Sequence, residues 1–423
     1  LLIAGAEAVA ARDLDLASVI LVRLRELVSC SGTTMQRVAA YFSEGLQSRI
    51  ESCGGNGRGH GHYRGVRPDD TLAAFRILHE ASPYIKFGHF SANQAILEAV
   101  ERERRVHIVD FEIMEGIQWP PFMQALASRK GGPPHLRISA LYRPRGPRRP
   151  TGLATVHETG KRLAEFAASV RVPFAFRAIP VSADTDTDTE EEEGREEEEE
   201  EEEEEGFEGV ARRLGKKEGE EEEALVVNCM VHLPHMPHRT AASVSAFVRA
   251  MRTLDPTILA FVEEELGSST SSGPAASSSS SSSSFFFEAL HHYSAICDSL
   301  EDCISSPAME ALGPGPGPGP GAARMLVERV FVAPRIHRTV SLWSRSSFPD
   351  RQTPPGNLGP GLHSWHSLVR SAGFKPVPLS FHNLSQAKLL LGLYKDGFKL
   401  DERNDRLLLG WRSKPLFAAS IWN

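Results

Sequence analysis

Between residues 17 and 100, apolar residues recur three and four positions apart, the spacing of one helical face. The first set of such positions is Ala17, Ile20, Leu21, Leu24, Leu27 and Val28. A second helix is predicted after Thr33-Thr34 and a third over Asp70–His79. A fourth is predicted to begin at Ser91, because the segment Ser91–Gln94 fits a capping box. Residues 1–105 are therefore predicted to form a leucine-rich helical cap region.

From residue 106 onward, short β-branched runs alternate with helical segments. The predicted strands are Val106–Phe111, Leu136–Leu141, Pro173–Pro180, Ala224–Val231 and Ile258–Val262. The predicted helices between them are Trp119–Arg129, Thr155–Val170 and Ala241–Leu254. This alternation is typical of a doubly wound α/β sheet with parallel strands.

The last quarter of the chain has a different pattern. A strand over Phe374–Leu379 and a helix over Ser385–Tyr394 are predicted first. Three apolar runs then follow closely, at Phe398–Leu400, Leu407–Trp411 and Phe417–Trp422. Since Asn404-Asp405 can form a tight turn, antiparallel strands at the edge of the sheet are expected here.

Four low-complexity segments interrupt these elements. Residues 54–67 are rich in Gly, His and Arg, and residues 184–223 are rich in acids. Residues 267–284 are mostly Ser, and residues 313–321 alternate Gly and Pro. Such compositions bury too little apolar surface to offset the entropy of ordering, so disordered insertions are predicted. What remains is one core over residues 106–423 beneath the cap region.

The net charge of −8 averages unlike parts of the chain. Residues 184–223 hold 23 acids and 5 bases, a net charge of −18, which leaves +10 for the rest. No apolar run is long enough to predict a transmembrane helix, and Leu1–Ala4 lacks the basic region of a signal peptide. Five cysteines without a CxxC pair predict neither a zinc site nor a disulfide framework.

Doubly wound sheets bind ligands at the carboxyl ends of their strands, which makes Asp110 the first candidate for chemistry. Glu112, Glu115 and Gly116 follow it, so the loop offers one glycine rather than a glycine-rich series. A cluster with different chemistry, Arg143, Arg145, Arg148 and Arg149, could contact phosphates or a nuclear import receptor. A solvated loop explains the same arginines.

Several ordered motifs resemble the plant GRAS family of transcriptional regulators. The VHIID-like motif is Val106, His107, Ile108, Val109 and Asp110. Segments Phe287–Glu301 and Leu326–Ile336 resemble the PFYRE region. The SAW-like motif is Trp411, Ser420, Ile421 and Trp422. Lys86–Phe90 and Ile113–Trp119 are most similar to the nodulation-signalling branch of that family.

This resemblance implies a class I methyltransferase-like (Rossmann-like) core with a helical cap, but no methyl transfer, no cofactor and no metal. It also implies regulation of transcription in the nucleus, through pairing with another GRAS protein that contacts promoter DNA. The branch implies symbiosis signalling and expression of strigolactone biosynthesis genes. The candidate docking residues on the first predicted helix are Leu21, Leu24, Leu27 and Val28.

Two alternatives remain open at the level of the sequence. One is a methyltransferase-like enzyme or ligand-binding protein that uses S-adenosylmethionine at Asp110. The other is direct recognition of DNA by the basic loops. Cofactor titration distinguishes the first alternative from a regulator, and gel shifts at two salt concentrations test the second.

Overall fold

A helical region precedes the sheet, as the apolar spacing predicts. The computed structural model describes residues 1–53, 68–111, 113–142, 151–181, 206–214, 222–230, 241–266, 278–305, 319–347 and 365–423. Its first five helices are α1 (Leu2–Ala10), α2 (Leu14–Arg25), α3 (Thr34–Cys53), α4 (Pro68–Ala81) and α5 (Tyr84–Ala99). Helix α2 packs on α1 and α3, and α4 packs on α5.

The first half of the sheet is parallel and doubly wound, which confirms the predicted fold class. Its strands are β1 (Arg105–Asp110), β2 (His135–Tyr142), β3 (Phe174–Pro180), β4 (Ala224–Met230) and β5 (Ile258–Glu264). They lie in the order β3-β2-β1-β4-β5, so the order reverses between β1 and β4. The connecting helices are α6 (Trp119–Ala127), α7 (Thr151–Ser169), α8 (Phe207–Leu214) and α9 (Ala241–Arg252). Strands β1, β4 and β5 are almost wholly buried, as parallel strands covered on both faces should be.

The sheet then continues with antiparallel strands, as predicted. These are β6 (Pro376–Val377), β7 (Phe398–Arg403), β8 (Arg406–Trp411) and β9 (Lys414–Trp422). Strand β9 pairs with β5, β8 with β9, and β7 with β8; β6 also pairs with β9. Asn404 and Asp405 have φ angles of 52° and 60°, which is the left-handed turn that joins β7 to β8.

Helices from the second half of the chain pack on the N-terminal helices and on elements of the core. They are α10 (Ser278–Ile304), α11 (Pro320–Val327), α12 (Ala333–Ser347), α13 (Trp365–Ser371) and α14 (Phe381–Leu391), with a π-helical turn, Glu328–Val332, between α11 and α12. Helices α10 and α12 both pack against α3, and α10 also contacts β8 and β9. The N-terminal region is therefore joined to the C-terminal half of the core.

The prediction that a helix begins at Ser91 is wrong. Helix α5 begins at Tyr84 with Pro83 at its N-cap, and both Ser91 and Asn93 are buried within it. Gly88 and several polar residues interrupt the apolar pattern between residues 84 and 91. The helix forms nonetheless, because nearly all of its side chains pack against neighbouring elements.

Three of the predicted insertions contain ordered helical residues. Helix α8 lies within 184–223, α10 begins inside the serine-rich segment, and α11 begins inside the Gly-Pro segment. Phe207 of α8 is buried, with its ring 5.8 Å from that of Phe111 and 5.4 Å from that of Phe247. The prediction of disorder is wrong for α8, because a few buried apolar side chains dock this short helix. For the rest of the four segments it stays a prediction. Residues 54–67 lie outside the described residues.

Candidate functional site

The carboxyl end of β1 is where a doubly wound sheet would bind a nucleotide-like ligand. Asp110, the last residue of β1, is buried and accepts a hydrogen bond of 2.8 Å from the indole Nε1 of Trp119. Trp119 is fully buried at the start of α6. The acid that S-adenosylmethionine would require here is therefore engaged within the protein.

Three buried amides fill the point at which the strand order reverses. Gln118 Nε2 donates to Asn93 Oδ1 over 3.1 Å and to Asn228 Oδ1 over 3.0 Å. Asn228 Nδ2 donates back to Gln118 Oε1 over 3.1 Å, and Asn93 Nδ2 donates to the Gln118 carbonyl over 2.9 Å. These amides satisfy one another across α5, β4 and the start of α6, so their polar atoms are committed to the fold.

The glycine of this loop serves close packing. Gly116 has a φ of +69°, and a Cβ atom there would lie 2.8 Å from Thr159 Cγ2 of α7. Thr159 Oγ1 donates a hydrogen bond of 3.1 Å to the Met114 carbonyl, which closes the loop against α7. Among the described residues of this end of the sheet, Gly116 packs against α7, and Asp110, Gln118 and Asn228 are engaged in contacts within the protein.

The carboxyl end of β5 carries three consecutive acids, which we call the clamp. They form ion pairs with the antiparallel strands and with the cap helices. Glu263 and Glu265 are both buried and both pair with the buried Arg406 of β8, over 3.4 Å and 2.8 Å. Glu264 pairs with Arg335 of α12 and lies 2.8 Å from His292 Nε2 of α10. Glu263 and Glu265 thus bind the antiparallel strands, and Glu264, which lies between them in sequence, binds the cap helices.

The electrostatics of Glu264 indicate that it is ionised. Burial would raise the pKa of this carboxyl group, but the Arg335 guanidinium and the His292 hydrogen bond outweigh burial and lower the pKa to about 2. The carboxyl group of Glu264 is therefore charged at all physiological pH values.

A second buried ionic cluster joins the N-terminal cap to the π-helical turn. The Arg37 side chain of α3 is fully buried and donates from Nε to both carboxylate oxygens of Glu328, over 3.1 Å and 3.0 Å. Arg37 Nη2 also donates to Glu301 of α10 over 3.0 Å, and the Tyr41 hydroxyl donates to Glu328 over 3.1 Å. One arginine thereby connects three helical segments.

The VHIID-like motif lies in the centre of the sheet. Val106, Ile108 and Val109 are completely buried, so their role is packing. His107 is buried and its Nε2 lies 2.9 Å from Ser139 Oγ of β2. Burial, together with the nearby Arg137 guanidinium, lowers the pKa of His107 to about 4, so this ring is neutral.

The SAW-like motif is also part of the buried structure. Trp422 is fully buried, and its Nε1 donates to Ser420 Oγ over 2.9 Å. Ile421 pairs across the sheet with Ala260 of β5. Trp411 Nε1 donates to Asp298 Oδ2 of α10 over 2.7 Å, which fixes β8 to the cap. Both motifs mark positions of the fold rather than an exposed site.

The predicted docking residues are only partly available for contact. Leu21 is 1% exposed and Leu24 is also buried, so this part of the prediction is wrong: these side chains belong to the core. Leu27 is exposed and Val28 is half-buried. Helix α2 carries apolar residues on most of its circumference, and the sequence does not distinguish the inner face from the outer one.

An apolar stripe does occur on the outer face of α2. It consists of Leu16, Val19 and Val22, three residues apart, and we call it the α2 stripe. Val19 is 63% exposed and Val22 is 57% exposed. The described surface near the start of the chain therefore offers contiguous apolar side chains to a partner.

Other candidate chemistry is absent or outside the described residues. Arg143, Arg145, Arg148 and Arg149 lie outside them, so a basic contact loop stays a prediction. Within the described part of the chain, no group of His, Cys, Asp and Glu side chains could hold a metal ion. A search of the same residues finds no helix able to cross a membrane.

Comparisons with known proteins agree with the motifs. The model of the GRAS domain family matches residues 1–201 and 208–423. Protein NODULATION SIGNALING PATHWAY 2 of Medicago truncatula is 40% identical over 440 residues, covering 100% of this chain and 75% of that protein. The protein of the same name from Lotus japonicus is 42% identical over 432 residues, with the same two coverages.

A solved structure shares the fold. The crystal structure of SCL7 in Oryza sativa has a TM-score of 0.63 and 28% sequence identity, and the match covers 95% of this chain and 93% of that one. The similarity extends through both the cap and the sheet.

Proposed function

This chain belongs to the GRAS domain family, and on that premise we propose that it regulates transcription in the nucleus, in symbiosis signalling. The observation that carries the proposal is the match over the full chain to two relatives named for nodulation signalling. Expression of strigolactone biosynthesis genes is the output expected from this branch. The relatives bear the names of regulatory proteins rather than enzymes.

The carboxyl end of the sheet supports a role as a scaffold. In a cofactor enzyme, the acid after β1 and the crevice between β1 and β4 would face the ligand. Here Asp110 is bound by Trp119, and Gln118 and Asn228 bind each other. We therefore assign the function to surfaces of the domain, and rank a methyltransferase-like activity below it.

The α2 stripe is the surface we propose for pairing with another GRAS protein. Helices α1 and α3 hold the inner face of α2, so the stripe is presented on a supported helix. Apolar residues spaced along one helical face are typical of helix-mediated association. Contact with promoter DNA is proposed to occur through the partner in this complex.

A double substitution on the stripe tests this pairing. Val19→Asp/Val22→Asp places two charges on the outer face and should abolish co-purification with a GRAS partner in size-exclusion chromatography with light scattering. Because both side chains are exposed, the melting temperature should not change. Met35→Asp, at a 59% exposed position at the start of α3, is the matched control. Retention of the partner by the double variant would overturn the proposed surface.

Cellular experiments test the broader proposal. A fluorescent fusion should accumulate in plant nuclei, and chromatin immunoprecipitation should recover promoters of strigolactone biosynthesis genes. In gel shifts, these promoters should be bound only when the GRAS partner is added. Sequence-specific binding by this chain alone would show that this protein, and not its partner, contacts the DNA.

A further inference from the structure

Helix α14 presents an apolar face directly opposite the face that it buries. Asn383, Ala387 and Leu390 point into the protein and are at most 3% exposed. On the other side, Phe381 is 78% exposed and Leu389 is 75% exposed. Leu393, just beyond the helix, is 79% exposed, and we call these three residues the α14 patch.

The helix beneath this patch is firmly held. Ser380 Oγ accepts a hydrogen bond of 3.1 Å from Asn383 N, which caps the first turn, and donates one of 2.7 Å to Glu98 of α5. Gln386 Nε2 donates to Gln94 of α5 over 2.7 Å. The patch is therefore preformed, and little conformational entropy is lost when it is covered.

The chain beyond the helix is anchored as well. The Tyr394 hydroxyl donates to the Ser82 carbonyl over 3.1 Å, and Lys86 Nζ donates to the same hydroxyl over 3.0 Å. Because Tyr394 is fixed, its neighbour Leu393 is held on the surface beside the end of α14. Three large apolar side chains are thus kept in contact with solvent by polar contacts on the reverse side.

Charge indicates what kind of partner covers the patch. Residues 380–395 contain Lys388 and Lys395 and no acid. Neither lysine forms an ion pair with any described residue of the chain. His382 lies 3.7 Å from Glu98, and exposed Asp396 directly follows Lys395, so Lys388 is the cation beside the patch that has neither an ion-pair partner nor an adjacent acid.

We propose that the α14 patch binds a short amphipathic helix of a partner protein, one with acidic residues beside its apolar stripe. Phe381 and Leu389 are separated by about two helical turns, which matches a stripe of leucines three and four residues apart. The acids of the partner would lie next to Lys388 and Lys395. Charge of this sign would orient the helix and favour an acidic partner over a basic one.

The small size of the patch favours a short helix over a second copy of the chain. Stable protein–protein interfaces bury roughly 800 Å² on each partner, with about 20–30 residues a side. Three side chains provide only a fraction of that area. This surface is also separate from the α2 stripe, since α14 packs on α5 whereas α2 packs on α1 and α3. Loss of one interaction should leave the other intact.

A fluorescein-labelled synthetic peptide tests the proposal by fluorescence anisotropy. The probe is a stapled helix with leucines at positions i, i+4 and i+7 and glutamates flanking them. Two comparison peptides replace the glutamates with lysine or the leucines with serine. We expect binding of the acidic apolar peptide alone. Phe381→Ser/Leu389→Ser should weaken it by at least about tenfold, the effect of losing one well-buried apolar contact.

Charge variants and a matched control sharpen the test. Lys388→Glu/Lys395→Glu should weaken the acidic peptide several-fold and reduce the salt dependence of its binding. Met35→Ser removes an exposed apolar residue elsewhere, at the start of α3, and should bind the peptide like wild type. Unchanged melting temperatures of all variants would show that folding is intact.

Four outcomes would overturn the proposal. They are the absence of peptide binding, equal binding of the lysine peptide, equal binding by the Phe381→Ser/Leu389→Ser variant, and an equal loss of binding in the Met35→Ser control. Two alternative occupants are tested alongside. If the patch variant alone dissolved a dimer in sedimentation velocity, the occupant would be a second copy. If it alone lost binding to vesicles of anionic phospholipid, the surface would be a membrane contact.

Discussion

Replacing Arg37 with methionine should destabilise the protein by removing the cation that connects α3 to the π-helical turn. The substitution keeps an unbranched apolar stem but leaves the carboxylate of Glu328 buried without the guanidinium whose Nε contacts both of its oxygens. Glu301, the other acid beside Arg37, is 39% exposed and can be solvated by water instead. The cost therefore arises mainly at Glu328.

The contacts of Glu328 set the loss of stability that we expect for Arg37→Met. Breaking a buried ion pair by removing one partner costs about 3–5 kcal/mol. Two groups remain near Glu328 in the variant: the Tyr41 hydroxyl at 3.1 Å, and Arg324, whose Nε lies 4.0 Å away. Because these groups offset part of the loss, we expect Arg37→Met to lower the free energy of unfolding by about 3 kcal/mol at pH 7.5.

The dependence on pH has a definite sign. Burial raises the pKa of Glu328 even beside Arg37, and loss of Arg37 raises it further. A group whose pKa is raised in the folded state stabilises that state at lower pH, so the deficit should be smaller at pH 5.5 than at pH 7.5. The assay is urea unfolding followed by circular dichroism at both values.

A double-mutant cycle gives the result that would refute this account. Glu328→Gln removes the buried charge, so the double variant Arg37→Met/Glu328→Gln should be more stable than Arg37→Met alone. If Arg37→Met cost less than about 1 kcal/mol, or the two effects were additive, the cluster would not couple the cap to the turn.

Three further predictions concern the core contacts. Glu264→Gln should lower the free energy of unfolding by on the order of 3 kcal/mol at pH 7. Because the pKa of Glu264 is about 2, the difference in stability between the variant and wild type in urea unfolding should shrink as the pH falls from about 4.5 toward 2. Trp411→Phe removes the hydrogen bond to half-exposed Asp298 and should cost about 1 kcal/mol in the same assay, with no loss meaning that the bond contributes nothing. Asn228→Ala should lower the free energy of unfolding by about 1–3 kcal/mol, because it leaves Gln118 Oε1 without its donor. Calorimetry of the wild type with S-adenosylmethionine should give no saturable heat. A micromolar binding isotherm that Asp110→Asn abolishes would contradict the filled crevice.

Much of the sheet could be predicted from sequence because its strands are buried on both faces. Ile258–Val262 is an uninterrupted apolar run, and it forms the first five residues of β5. Helix α5 could not be bounded in the same way. Its interior Ser91 and Asn93 favour a helix start on local preference, whereas tertiary contacts bury both within the helix.

The candidate sites were less accessible to sequence analysis, since they depend on which side of an element faces the core. Leu21 and Val19 are both apolar residues of α2, yet one is buried and the other is exposed. Arg37 in a helix is typical of a solvated residue, and only the packing of α10 and α12 against α3 encloses it. The three acids at the carboxyl end of β5 carried a usable signal, because charges at the end of a buried strand require partners.

The ordered residues within 184–223 change how the acidic tract should be tested. Phe207 packs against both Phe111 and Phe247, and Glu223 pairs with both Arg105 and Arg137. Removing the whole stretch would therefore take away structural contacts together with the charge. A deletion of residues 184–205 avoids this confusion, because it ends before α8 and leaves Glu223 in place.

The shorter deletion also separates charge from structure in quantitative terms. Residues 184–205 contain 17 acids and one base, a net charge of −16, so their removal changes the chain from −8 to +8. We expect the deletion variant to bind nonspecific duplex DNA more tightly than wild type, with a steeper salt dependence, because phosphate affinity follows the number of unneutralised cations. Its melting temperature should match that of wild type.

As a control, replacing the tract with an equally long Gly/Ser segment should have the same effect as deletion. If affinity at low salt were unchanged in both variants, the positive charge of the rest of the chain would be too dispersed to form a binding face, and contact with DNA would have to come from a partner.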